Sequence, residues 1–152
     1  EQLDALLGPI REKSRELNDQ AGRNVPLLVK IAPDMSEEEV ALVAGSIARN
    51  ELDGVIATNT TVSRDAVQDD PQAQEAGGLS GKPVFEASNT VIRLLRAHLP
   101  MLPIIGVGGI DSGDAARAKI AAGADVVQLY SGLIYQGPAL VRQCVEALKQ
   151  QG

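Results

Sequence analysis

Apolar side chains recur along the chain in two alternating rhythms. Leu3, Leu6, Leu7, Ile10, Leu17 and Ala21 fall three and four residues apart, which predicts an amphipathic helix; Gly8-Pro9 within it predicts a kink or a restart, and Gly22 and Asn24 end it. Pro26-Leu-Leu-Val-Lys-Ile-Ala32 is then a nearly continuous apolar run, as expected of a strand covered on both faces. Ser36 with Glu39 three residues later forms a capping box, and Val40, Val43, Ala44 and Ile47 supply the buried stripe of a helix ending near Asn50.

The pair repeats three more times. Gly54 to Thr58 reads as a strand and, after a long insertion, Pro83 opens a helix with Val84, Ala87, Val91, Leu95 and Leu99 on one side. Leu102 to Val107 is a third strand, followed by a helix over Asp114 to Ala122 that stops at Gly123. Asp125 to Tyr130 is a fourth, and Pro138 to Gln150 is the closing helix. Four consecutive βα units imply a parallel sheet in one domain, either a complete doubly wound sheet or half of a (β/α)8 barrel.

Composition narrows the function classes. The 152 residues are 44% hydrophobic and 22% charged, the balance of a soluble globular domain. A formal charge of -6 argues against nucleic acid as a partner, and no apolar run reaches the length of a membrane span. The single cysteine, Cys144, lies on an apolar stripe with Leu140 and Leu148 and reads as a buried thiol; His98, in a last helical turn, reads as a helix-dipole partner. No spacing suggests a metal site.

Five features can carry chemistry. Gly106-Val-Gly-Gly-Ile110 lacks the third glycine of a dinucleotide fingerprint, but its glycines let backbone amides approach a phosphate. Tyr130 to Pro138 after the fourth strand leaves room for one helical turn, the arrangement of a barrel's phosphate site; tight turns without a ligand are the competing reading. Lys30 is the one charge inside an apolar strand, so an anion is expected to meet a buried ammonium there, unless Lys30 reaches solvent at an edge. Ala57-Thr-Asn-Thr-Thr61 sets an amide and hydroxyls where a strand ends, suiting a planar polar ligand or an ordinary turn. The acidic insertion before Gly77-Gly-Leu-Ser-Gly-Lys-Pro83 has the length of a lid or binding loop, and it lacks the pattern of a triphosphate loop.

Taken in order, Val29 to Asp34, Asp53 to Thr61, Gly77 to Pro83, Pro103 to Asp111 and Gln128 to Gly132 resemble the dihydroorotate dehydrogenases, and the Ala-Thr-Asn-Thr-Thr and Leu-Ser-Gly-Lys-Pro forms resemble the quinone-dependent class 2 branch. The resemblance implies an FMN-binding α/β domain over residues 1–152, the carboxy-terminal half of a TIM barrel carrying strands five to eight. It implies FMN contacts at Lys30, Thr58, Gly81, Gly109, Tyr130 and Ser131, the last three around the phosphate, and contacts of Asn59 and Thr60 with dihydroorotate or orotate. The implied activity is oxidation of dihydroorotate to orotate in pyrimidine biosynthesis, with quinone as electron acceptor.

The family's catalytic serine belongs to the first half of the barrel; Ser63, Ser80 and Ser131 do not match its motif, so no catalytic residue is expected in this chain. Quinone contact and peripheral attachment to the cytoplasmic face of a bacterial inner membrane would come from amino-terminal helices, leaving this segment soluble and free of membrane contact. A chain of this kind is expected to be inactive alone. A non-catalytic phosphate-binding half-barrel, or another FMN or phosphate barrel, remains the alternative.

Overall fold

In the computed structural model, which describes residues 2–150, every predicted βα pair is present. The strands are β1 (Leu28–Ile31), β2 (Gly54–Ala57), β3 (Ile104–Val107) and β4 (Val126–Gln128). The long helices are α1 (Gln2–Ala21), α2 (Glu37–Arg49), α3 (Phe85–His98) and α4 (Gly113–Ala121); a single turn, α5 (Ser131–Gln136), precedes α6 (Ala139–Lys149). The expected domain extends to Glu1, Gln151 and Gly152, which lie outside the described residues.

All three strand pairings are parallel, in the order β1-β2-β3-β4. A doubly wound sheet reverses its strand order at a switch point, whereas here each strand lies beside its predecessor, as in a barrel wall. One face of the sheet carries Ile31, Val55, Ala57 and Ile104, which join Val40, Ala44 and Ile47 of α2 and Val91, Ile92 and Leu95 of α3 in the main core. The opposite face aligns Lys30, Ile56, Ile105 and Val126 in one register row; Val126 is 53% exposed there. Burial thus follows the pattern of a barrel wall seen from both sides.

Local choices explain the elements. The Ser36 hydroxyl accepts from Glu39 N while the Glu39 carboxylate accepts from Ser36 N at 2.7 Å, the reciprocal box read from the sequence. Gly113 lets α4 lie against α6, because a Cβ there would sit 2.6 Å from that of Ala147. Cys144 is buried in this second core with Ile110, Ala116 and Leu140, and burial raises its thiol pKa.

Three expectations need correction. Pro9 does not restart α1, which runs as one helix with Pro9 inside it. Its apolar stripe is only partly covered: Leu7 is buried, but Leu6, Ile10 and Leu17 stay exposed because α2 and the strand ends reach only one edge of it. On α3 the inward position is held by Ser88 rather than Ala87, which faces solvent.

Asp53 and Asp125 perform the same task at the entry ends of the sheet. Asp53 accepts from Leu27 N and from Arg11, each at 2.7 Å; Asp125 accepts from Ile104 N and from Arg96, also at 2.7 Å. The Arg11 guanidinium and the Leu27 N–H hold the Asp53 carboxyl below its ordinary value of 3.8. A depressed folded-state pKa stabilises the fold above the unfolded value and loses that contribution as pH falls through the folded one. Asp53→Ala is therefore expected to cost about 2 kcal/mol near neutral pH by urea unfolding, and the deficit should shrink below about pH 4.

Candidate functional site

The carboxyl ends of the four strands open onto one cleft of about 270 Å³. Each βα loop contributes to it. Lys30 projects from β1, and the chain leaving β2 brings Thr58, Asn59 and Thr60. The insertion returns to the cleft at Ser80 and Gly81, the loop after β3 adds Gly109, and the segment after β4 adds Tyr130 and Ser131. All eight residues singled out in the sequence therefore border the same space.

The polar cluster is anchored by its backbone and free at its tips. Thr58 is buried, with its N–H donating to Val107 O at 2.9 Å and its hydroxyl to Asn59 O at 3.0 Å; the Ala57–Thr58 peptide is cis. Asn59 N donates to Ile31 O at 2.7 Å, while Asn59 Oδ1 accepts from Thr60 N at 3.0 Å. That fixes the amide with its NH2 outward as a donor. Below it, Asp34 accepts from the Thr61 hydroxyl and from Val62 N, tying the loop after β1 to the loop after β2.

The insertion is built around one guanidinium. Arg64 donates to the carbonyl oxygens of Val62, Ser63, Ala73, Glu75 and Gly77, and the Thr61 to Leu79 bridge closes the loop at its base. Arg64→Ala is accordingly expected to raise proteolytic nicking between residues 62 and 79 several-fold while the melting temperature changes little, since the loop contributes Ala73 but little else to the buried core.

Glycines bring three main chains together at the other end of the cleft. Gly81, Gly108 and Gly109 have φ of +80, +119 and +70. A Cβ on Gly109 would lie 2.6 Å from Phe85 Cβ and 3.1 Å from Gly81 O, and one on Gly132 would lie 2.2 Å from Ile110 O. Only glycine permits such approach. The Ser131 hydroxyl donates to Ser80 Oγ at 3.1 Å across the same gap. Main chain without side chains and two hydroxyls thus meet beside the first turn of α5, the kind of surface that can hold a phosphate group.

Lys30 departs from expectation. It is exposed rather than buried, because it stands on the uncovered face of the sheet beside half-buried Ile56. Among the described residues no carboxylate pairs with it. Its ammonium is thus available to a ligand in the cleft. The side chain of Tyr130 is also largely exposed, at 71%.

Two polar side chains that line the cleft were not among the predicted site residues. Gln128 faces the cleft from β4; a polar side chain inside Val126-Val-Gln-Leu129 was the same signal that marked Lys30. Ser80 had no signal beyond its place among glycines.

A parallel, singly wound sheet with its cleft at the strands' carboxyl ends defines half of a (β/α)8 barrel. A family model described as dihydroorotate dehydrogenase matches residues 5–151. Curated relatives named dihydroorotate dehydrogenase (quinone), from Burkholderia pseudomallei strain K96243 and Burkholderia mallei strain ATCC 23344, are 60% identical over 148 residues, 97% of this chain and 43% of theirs. The solved structure of DHODH from Eimeria tenella in complex with ferulenol superposes with a TM-score of 0.89 at 30% identity, covering 96% of this chain and 43% of that one. A ligand-free type from the same organism gives 0.78 at 36% identity over 86% and 38%. The chain belongs to the dihydroorotate dehydrogenase family, and it spans less than half the length of the curated relatives it matches.

Proposed function

We propose that this chain forms the FMN-phosphate and pyrimidine-binding half of a quinone-dependent dihydroorotate dehydrogenase. The observation that carries the reading is the meeting of a glycine cradle, an outward amide and an unpaired ammonium around one cleft. The cradle at Gly81 and Gly109, with Tyr130 and Ser131, would hold the phosphate, and Thr58 would border the flavin ring. Lys30 would lie at the ring's pyrimidine end, where its ammonium faces the negative charge that develops during hydride transfer. Asn59 Nδ2 and the Thr60 hydroxyl would bind the ring of dihydroorotate or orotate as donors. Bound FMN would supply the two-electron acceptor for converting dihydroorotate to orotate.

The proton leaving dihydroorotate needs a base, and none of Ser63, Ser80 and Ser131 matches the family's serine motif; the Ser131 hydroxyl is engaged with Ser80 Oγ. The base is therefore assigned to the other half of the barrel. Quinone reduction and attachment to the cytoplasmic face of the membrane are assigned there as well; no helix among the described residues is long and apolar enough to cross a membrane.

The pyrimidine role is tested in a complete barrel, made by joining this chain to the amino-terminal half of the Burkholderia pseudomallei relative. Asn59→Ala should leave FMN bound and weaken orotate about tenfold, the cost of stranding a ligand acceptor, read by titrating the flavin spectrum with orotate. A lowered melting temperature with unchanged orotate affinity would make Asn59 a turn former and overturn the role.

A further inference from the structure

Lys119 heads the largest wholly buried side chains of the described residues, and nothing in the cleft uses it directly. It enters from α4 beneath the sheet, with its Cγ 2.6 Å from where a Cβ on Gly106 would stand. Its ammonium donates to Ser88 Oγ and to Phe85 O at 3.4 Å, and lies 4.7 Å from the centre of the Phe85 ring. Ser88 in turn donates to Phe85 O at 2.9 Å. Among the described residues no carboxylate reaches ion-pair distance of this ammonium. A buried charge with no counter-ion is strongly disfavoured unless an anion nearby answers it.

The residues that hold the ammonium also support the glycine cradle. A Cβ on Gly108 would lie 2.9 Å from Ser88 Oγ, and one on Gly109 would lie 2.9 Å from Phe85 Cα. The ammonium therefore sits one residue layer behind the turn that faces the cleft, separated from it by the first turn of α3. Burial lowers its pKa to about 8, with Glu86 opposing the shift and Arg93 adding to it, so the group remains mostly charged at neutral pH.

We propose that Lys119 is a positioning residue for phosphate binding: it clamps the first turn of α3 against Gly108-Gly109 and places behind that turn a positive charge that the ligand's phosphate answers. The role rests on the FMN reading of the cleft, and it assigns to the buried lysine the electrostatic share of phosphate recognition that the cradle's neutral amides and hydroxyls do not supply. A lysine that merely filled space would be replaced by methionine without any effect specific to phosphate.

FMN and riboflavin, which differ by the phosphate alone, are titrated by flavin fluorescence into the complete barrel after removal of its flavin. The wild-type barrel should prefer FMN at least tenfold. Lys119→Met, which keeps the unbranched apolar stem and removes the charge, should cut that preference at least fivefold with riboflavin affinity unchanged. Ser88→Ala, which breaks the clamp while removing a single oxygen, should reduce it several-fold and keeps the test open if Lys119→Met fails to fold. Variants with the wild-type preference would overturn the role of Lys119 alone. A wild-type barrel that binds FMN and riboflavin equally would overturn the phosphate reading of the cleft, and the lysine's role with it.

Discussion

Lys30→Ala in the complete barrel is expected to slow flavin reduction by dihydroorotate roughly 30- to 1,000-fold, the equivalent of about 2 to 4 kcal/mol of lost charge stabilisation. Lys30 is the one charged side chain among the strand residues on the open face of the sheet, and its neighbours in the register row, Ile56 and Ile105, offer no substitute. In the complete barrel, where the other half would cover this open face, water would compete less well for the ammonium and its interaction with developing negative charge would strengthen. FMN content should fall at the same time. Stopped-flow reduction of the flavin measures the rate, and near-normal content with a near-normal rate would remove Lys30 from the site.

The second large effect concerns the 152 residues by themselves, which are expected to give no dihydroorotate oxidation above a no-protein blank in a dye-reduction assay. A positioned base alone contributes about 10² to 10⁴ in rate, and the base is assigned to the other half of the barrel. The open sheet face, with Val126 half exposed, also leaves one side of the cleft to solvent, which weakens every electrostatic interaction inside it. Joining the amino-terminal half should restore turnover. Measurable turnover by the shorter chain would show that a base lies within it after all.

Local signals were legible where physics is local. The capping box at Ser36 and Glu39, the single turn before Pro138 and the four apolar runs depend on neighbours a few residues away, and each appears in the structure. The choice between a half-barrel and a doubly wound sheet depended on strand order, which periodicity does not encode. The stretches that meet in the candidate cleft were legible because polar groups and glycines stand out against apolar runs, whereas the eight individual contacts followed from the resemblance to the dihydroorotate dehydrogenases. Burial was not legible in the same way. Lys30 was expected inside and stands on an open face, while Lys119, an ordinary helical lysine by its spacing, is wholly buried because Gly106 leaves room for its stem. Pairings of that kind join residues on different elements, and neither partner signals the other.

A crystal structure of the complete barrel with FMN and orotate would show whether one cleft binds the FMN phosphate at its glycine cradle and the pyrimidine at Asn59. Phosphate oxygens are expected within about 3 Å of Gly109 N and the Ser131 hydroxyl, with Asn59 Nδ2 at a similar distance from an orotate oxygen. A phosphate seated away from that cradle, or orotate bound without contact to Asn59, would contradict it.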